Sequence, residues 1–280
     1  MANERKRISN KNSNTDGYLQ RQIESAPLQK PVTLSAIRAL KLLPGSSGLD
    51  VGCGYGAQAI LLAEAVGPTG HVTGVDISQK FLDYGRDIVK SSGLLHCVSL
   101  EEGDMNTLPF DDNTFDWAWS ASCVGYSPND PLPALREMAR VVKPGGRVII
   151  LVWSSETLLS GYPVLEAHLR ATSAGIAPFS QGMKPESHYL RMLARFREIG
   201  LEERSVKVIP GEVNSPISID LRKAMIGLLE MRWLGVESEL SEGDWTEFQR
   251  LTQPGSPDFM VDQPDYYAFF SYSMFQGRVP

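Results

Sequence analysis

The strongest chemical signal is a short run, "LDVGCGYGAQA", in which Asp50, Gly52, Gly54 and Gly56 follow a stretch of apolar residues. Glycines at this spacing leave no side chain between the backbone and a ligand, so the backbone N–H groups can approach it closely. Gly52-x-Gly54-x-x-Ala57 fits a dinucleotide fingerprint, with a pyrophosphate on the N-terminus of the next helix. Asp50-x-Gly52-x-Gly54-x-Gly56 fits a second pattern, which adds an acid and a third glycine. Asp76 lies 24 residues beyond Gly52. A carboxylate there can accept both hydroxyl protons of a ribose diol, and this serves either pattern. Further on, in "EGDMNTLPFDDNTFD", Asp104 can accept from an adenine amino group and the N–H of Met105 can reach a ring nitrogen.

Alternating strands and helices must hold these residues. "VTLSAIRALKLLPGS" predicts a helix with Leu34, Ile37 and Leu40 on one face, stopped at Pro44-Gly45. "GLDVG" predicts a buried strand and "AQAILLAEAVG" an apolar helix closed by Gly67. "HVTGVD" is a second strand ending in Asp76, after which Ser78 can cap the helix "QKFLDYGRDIVKSSG". "HCVSLEEGD", "FDWAWS" and "GRVIILVW" continue the strands, with a helix in "DPLPALREMARVVKPGG". Nearly continuous apolar strands separated by helices predict a doubly wound, mostly parallel sheet covered on both faces. After residue 153 the rhythm loosens, then resumes with the helix "ESHYLRMLARFREIG" and the strand "EERSVKVI". The closing "DYYAFFSYSMFQGRV" is aromatic and β-prone, and with no crossover helix before it an antiparallel strand is expected.

Three features separate the two cofactor patterns. Asp50 stands where a dinucleotide fold usually has an apolar residue. A pyrophosphate is poorly served by that acid, whereas S-adenosylmethionine carries a sulfonium cation and an amino group and no phosphate. The Asp104 segment and "RVVKPGGRVIILVW" are the other two. Together, "LDVGCGYG", "VTGVDIS", "EGDMNTLPFDDNTFD" and "REMARVVKPGGRVII" resemble, in order and spacing, the signature motifs of class I S-adenosylmethionine-dependent methyltransferases. In style they are closest to the small-molecule enzymes of ubiquinone and menaquinone biosynthesis. The resemblance covers residues 33–153 and the terminal strand. It implies a seven-stranded sheet of order 3-2-1-4-5-7-6, with strand 7 antiparallel.

The same resemblance implies residue roles. Gly52, Gly54 and Gly56, with Asp50 nearby, would face the amino-acid part of the cofactor, Asp76 the ribose, and Ile77 the flat of the adenine. Asp104 and Met105 would read the adenine edge, Ser120 would lie near the methionine part, and Tyr18 would reach its carboxylate. Each of these residues also has a plain structural explanation as a turn glycine, a capping acid or a core side chain. The sulfonium is already an activated leaving group, so the protein must chiefly align an acceptor with the methyl and exclude water. A hydroxyl acceptor would also need a base. Candidate bases are Tyr126, in the loop after the fourth strand, His168, beside Glu166, and His188. His71 and His96 fall at the wrong end of the sheet. Cys123 is near the expected methyl position, but direct transfer needs no covalent step. The family often has a histidine around Gly125-Tyr126, and this chain has none there.

Residues 1–30 are expected to form a flexible polar arm and 31–280 the methyltransferase domain. Insertions at 154–190 and 212–264 are expected to form a helical lid over the strand ends. The helix from Ile219 to Gly235 has two apolar faces, and Met225, Met231 and Trp233 favour a flat or lipophilic acceptor. One of those faces could also meet a second subunit in a homodimer. The net charge of −6 speaks against nucleic acid as a partner, and no apolar run approaches the roughly 20 residues of a membrane span. Cys53, Cys97 and Cys123 have neither metal-site nor disulfide spacing, which fits a reducing cytoplasm. Two other readings stay open. A nicotinamide-dependent oxidoreductase would leave Asp50, the Asp104 segment and the aromatic end unexplained. A non-catalytic S-adenosylmethionine-binding protein is compatible with the glycine loop.

Overall fold

A computed structural model describes the chain from Ala2 to Pro280 except residues 127–129, with the backbone alone for residues 2–16. The described strands are β1 (Ser47–Val51), β2 (His71–Asp76), β3 (Val98–Glu102), β4 (Phe115–Ala121), β5 (Val142–Thr157), β6 (Glu202–Asn214) and β7 (Tyr267–Arg278). They form one seven-stranded sheet in the order β3-β2-β1-β4-β5-β7-β6. β1 pairs in parallel with β2 and β4, β2 with β3, and β4 with β5. β7 runs the other way. Near the start of β5, Gly145 N–H donates to Val279 O at 2.8 Å, and near its end Ser154 Oγ donates to Ser271 O at 3.0 Å. The order and the reversed strand are those expected.

The helices are α1 (Ala2–Leu40), α2 (Ala57–Val66), α3 (Gln79–Ser91), α4 (Leu132–Val141), α5 (Pro163–Arg170), α6 (Ser173–Ile176), α7 (Met192–Glu198), α8 (Ile219–Arg232) and α9 (Glu242–Thr252). Leu49 and Val51 of β1, Ala118 of β4 and Val148 and Ile150 of β5 join one buried cluster with Leu135 and Met138 of α4 and Phe196 of α7. Truncating a fully buried residue such as Leu135 to alanine should cost about 2–5 kcal/mol. Gly48 fixes how β1 and β4 meet. It lies opposite Trp117, and a Cβ at residue 48 would sit 2.0 Å from the indole ring. Trp117 thus lies flat across β1, with its N–H on Ser46 Oγ at 3.0 Å.

The chain folds into two compact units. The sheet unit holds Val32–Glu156, Ile176–Gly211 and Phe270–Pro280, and the helical unit holds the chain up to Pro31, Thr157–Gly175 and Glu212–Phe269. In the helical unit, buried Glu166 accepts from Leu158 N at 2.6 Å and Leu159 N at 3.0 Å, while the Tyr266 hydroxyl donates to Leu158 O at 3.0 Å. α8 buries Ala224, Met225 and Leu229, and Trp233 packs edge-on against Phe248 of α9 with ring centres 5.7 Å apart. Met231 is exposed.

Several local expectations differ from the structure. Residues 2–30, where an arm was expected, are described as the first part of α1, which runs through Pro27 and Pro31 to Leu40. Prolines remove backbone donors and usually mark a break. Here buried Leu28, Val32, Ala36 and Leu40 continue one i, i+4 pattern across Pro31. Residues 176–190, expected in the lid, cluster with the sheet unit. Ser78 is the N-cap residue of α3, but its side chain makes no capping bond. The helix expected over "ESHYLRMLARFREIG" shortens to α7, preceded by two single 3-10 turns.

Candidate functional site

The glycine loop crosses from the carboxyl end of β1 to α2. Gly52 (φ 73°), Gly54 (φ 56°) and Gly56 (φ 77°) all adopt the left-handed conformation that side-chain-bearing residues avoid. Gly52 is also fixed by space, since a Cβ there would lie 2.2 Å from Cys123 Sγ. The loop is tied to β2 by Gly52 N and Cys53 N, which both donate to Val75 O, at 2.8 and 3.0 Å. Asp76 completes the attachment. Its Oδ2 accepts from Gly54 N and its Oδ1 from Ser78 N, each at 2.9 Å. Asp76, rather than Ser78, therefore satisfies the backbone at the start of α3. Each Asp76 oxygen keeps a second lone pair for a ligand hydroxyl.

Asp50 lies beneath the loop, 2% exposed, and accepts one bond from the backbone N–H of Ala59 in the first turn of α2. Its Oδ2 is buried with no hydrogen-bond partner. Burial, reinforced by the negative charge of Asp76, pushes its pKa up to about 7. The same two causes act on the neighbouring thiols. Burial and the charges of Asp76 and Asp50 raise Cys123 to about 11, and burial with Asp50 and Asp76 raises Cys53 further. Both stay thiols, so the structure offers no thiolate nucleophile at this site. The largest charges that act on Asp50, Cys53 and Cys123 are the carboxylates of Asp50 and Asp76, which makes the loop an acidic environment. A buried carboxyl with an unpartnered oxygen, beside a second carboxylate, fits a cationic sulfonium or ammonium group better than a pyrophosphate.

Beyond Asp76, the Ile77 side chain is 72% exposed, an apolar surface next to that acid in the chain. Asp104 makes a local turn, its Oδ1 accepting from Asn106 N at 2.8 Å and Asn106 Nδ2 at 2.9 Å, and its Oδ2 remains available. Met105 packs partly against the core and receives the Cys123 S–H on its sulfur at 3.9 Å. Ser120 is fully buried, and its hydroxyl accepts from Val124 N at 3.2 Å, shaping the turn after β4. Tyr18 lies on α1 in the helical unit, half exposed.

The structure adds two residues that motif reading passed over. In "REMAR", Glu137 accepts from Leu108 N at 2.8 Å and from Arg140 Nη2 at 2.8 Å. Arg140 also donates to Phe110 O at 2.8 Å, Leu108 O at 3.1 Å and Asp112 Oδ1 at 2.7 Å. Together they clamp the segment that follows Asp104. The Arg140 hydrogen bond is the main reason that the Glu137 carboxyl is held below its usual value. The i, i+3 spacing on α4 was the available signal, but it does not disclose the target, which lies 29 residues earlier in the chain.

The candidate bases are dispersed. His168 does not pair with Glu166. It is exposed in the helical unit and bonds Asp244 through Nδ1 at 3.0 Å. His188 is in the sheet unit, stacked on Tyr189 at 4.5 Å between ring centres, and burial lowers its pKa. Its Nδ1 accepts from Leu190 N at 3.2 Å. The neutral ring therefore carries its proton on Nε2 and has no free lone pair. Tyr126 packs edge-on against Tyr189, with ring centres 5.5 Å apart, in the loop that brings Cys123 to the glycines. Phe179, His188, Tyr189 and Tyr126 make a continuous run of ring contacts.

The comparisons with known proteins agree with this geometry. Residues 49–146 match the family model described as a methyltransferase domain. The demethylmenaquinone methyltransferase of Bacillus cytotoxicus is 44% identical over 123 residues, which are 44% of this chain and 51% of that protein. The chain spans about half the length of the curated relatives it matches. Among solved structures, a SAM-dependent methyltransferase from Aquifex aeolicus is similar with a TM-score of 0.50 and 18% identity, over 91% of this chain and 96% of that one. The cyclase SpnF is similar with a TM-score of 0.51 and 22% identity, over 88% and 80%. At these identities the solved structures establish the fold. In motif order, strand order and domain match, the chain is similar to class I S-adenosylmethionine-dependent methyltransferases of the menaquinone and ubiquinone type.

Proposed function

We propose that this protein transfers a methyl group from S-adenosylmethionine to a flat, lipophilic acceptor of the quinone type. The observation that carries the reading is the acidic glycine loop inside the segment that matches the methyltransferase domain. There, buried Asp50 has an unpartnered oxygen, three glycines adopt the left-handed conformation, and Asp76 closes the loop. When bound, the cofactor supplies an activated methyl on a sulfonium. On the protein side, Gly52, Gly54 and Gly56 leave room for the amino-acid end, with Asp50 beneath it. Asp76 takes the ribose hydroxyls, Ile77 covers the adenine, and Asp104 with the Met105 N–H reads its edge. Ser120 supports the turn near the methionine end, and Tyr18 is the residue proposed for its carboxylate.

The relatives act on demethylmenaquinone by name, and a ring carbon of such an acceptor requires alignment more than a strong base. The engaged lone pair of His188 and the thiol state of Cys123 are consistent with that. The protein works in the cytoplasm without nucleic acid, as a monomer or a homodimer. No helix among the described residues is long and apolar enough to cross a membrane.

Thermal-shift titration with S-adenosylhomocysteine and with NADH tests the cofactor. Stabilisation by S-adenosylhomocysteine is expected, and stabilisation by NADH alone refutes the proposal. Transfer of a labelled methyl to a reduced demethylquinone tests the acceptor. Cofactor binding without transfer to any acceptor in a lipid extract would favour the non-catalytic alternative.

A further inference from the structure

A second feature of the sheet unit lies apart from the glycine loop. Near α7 there is a groove of about 470 Å³ lined by Leu190, Arg191, Leu193, Ala194, Arg197 and Arg204. Arg191 and Arg197 are exposed, and their guanidinium groups bond no partner among the described residues. Arg195, by contrast, is paired with Glu198 at 3.1 Å and donates to Glu186 O at 3.0 Å. Arg204 comes from the edge strand β6, and its neighbours in alternation, Val206 and Val208, share its face. That face is on the α7 side. Gly277 of β7 lies against Phe196 and Leu201, whereas Gln276 reaches Ser205 on the other side. Val206 is 46% exposed, Val208 60% and Leu190 38%. The surface thus combines guanidinium groups lacking a counter-charge with open aliphatic side chains, on a chain whose net charge is −6.

This chemistry narrows the occupant. A second copy across a twofold axis would oppose Arg191, Arg197 and Arg204 with the same residues, and Lys207 guards the strand edge against pairing. A free small anion would use the guanidinium groups and leave the aliphatic residues in water. Phosphate headgroups above a hydrocarbon boundary use both. We infer that the α7–β6 face docks the protein on an anionic lipid surface, with Arg191, Arg197 and Arg204 on headgroup phosphates and Leu190, Val206 and Val208 at the acyl boundary. The inference rests on the proposed lipophilic acceptor, since such a molecule partitions into a bilayer and is met at its surface.

Co-sedimentation of the full chain with phosphatidylcholine vesicles, with and without phosphatidylglycerol, tests the inference. Binding is expected only with phosphatidylglycerol and should weaken with salt. The double variant Arg191→Ala/Arg197→Ala should bind about 25-fold more weakly, since each basic group at an anionic surface contributes roughly fivefold. Val206→Asp should weaken binding in an otherwise intact patch. Melting temperature and stabilisation by S-adenosylhomocysteine should be unchanged in both variants. Equal binding to neutral vesicles, no binding, or variants that bind like the parent overturn the inference. So does full release by millimolar inorganic phosphate, which would indicate a free-anion site, or a concentration-dependent dimer abolished by the variants. Failure to be stabilised by S-adenosylhomocysteine would overturn the methyltransferase reading while leaving the vesicle result standing.

Discussion

Replacing Asp50 with asparagine should make the unliganded protein less sensitive to alkaline pH. The carboxyl group is buried, one oxygen has no partner, and its pKa is pushed up from 3.8 to about 7 by burial and by Asp76. The unfolded chain releases this proton near 3.8, while the folded chain holds it until about pH 7. Between those values the folded state binds more protons, so stability falls as pH rises, and above pH 7 the loss is complete. Raising the pKa from 3.8 to about 7 corresponds to about 4 kcal/mol, of which about 2–3 kcal/mol is lost between pH 5 and pH 8. An asparagine side chain cannot ionise, so the variant lacks that slope. Its amide does carry two donors into the same pocket, at a pH-independent cost of about 1–3 kcal/mol. Urea unfolding of the parent and Asp50→Asn at pH 5, 6, 7 and 8 isolates the difference, because every other titrating group is common to both. The parent should lose about 2–3 kcal/mol relative to the variant over this range. Parallel profiles, with a relative change below about 0.5 kcal/mol, would refute a carboxyl group that is buried and uncompensated. A cationic ligand seated against Asp50 should release the proton, so binding of S-adenosylmethionine to the parent at pH 6 should be accompanied by proton release, measurable in buffers of different ionisation enthalpy.

Asp76→Ala removes the acceptor for Gly54 N and Ser78 N as well as the proposed ribose ligand, so affinity for S-adenosylhomocysteine should fall at least tenfold by calorimetry. Gly52→Ala places a Cβ 2.2 Å from Cys123 Sγ at a left-handed φ, and urea unfolding should show a loss of about 2–4 kcal/mol. Arg140→Ala frees Leu108 O, Phe110 O and Asp112, so amide exchange at residues 105–112 should quicken more than in α2. His188→Gln should retain at least half of the methyl-transfer rate with the same pH profile, because the imidazole lone pair is already engaged by Leu190 N; loss of an alkaline limb would restore His188 as a base.

The half of the molecule that carries the loop was legible because its rules are local. Apolar β1 and β2 end in "VGCG" and "VDIS", and their partners follow from alternation of strand and helix. What the side chains do at the loop was less legible. Asp76 reads from its position as a ligand acid, yet it also satisfies the backbone at residues 54 and 78. Ser120 reads as a site residue and is buried in the turn. Arg140 and Glu137 look like surface helix residues, because the segment they hold comes from a different part of the chain. In the helical regions, prolines at 27 and 31 and a run interrupted at His188 concealed where helices truly begin. The partners there are distant in sequence, and local propensity does not encode them.

The two overlapping fingerprints in "LDVGCGYGAQA" differ physically in the charge they tolerate. A dinucleotide loop directs a helix N-terminus at a pyrophosphate, and an uncompensated acid there would oppose the ligand. In this chain the first turn of α2 is already used by Asp50, through the N–H of Ala59, and Asp76 adds a second carboxylate that raises the pKa of Asp50 and of both thiols. A cation reverses the sign of all these interactions, lowering the cost of ionising Asp50 while gaining an attraction to Asp76. Ala57, which satisfies the dinucleotide spacing, therefore does not separate the two patterns, whereas Asp50 favours a cationic ligand. Charge selection of this kind applies to the donor alone. On the proposed reading, the acceptor is chosen by residues outside the loop. In the sheet unit, the ring contacts from Phe179 through His188 and Tyr189 to Tyr126 are the part of the structure that leads from outside the loop to the turn touching Gly52.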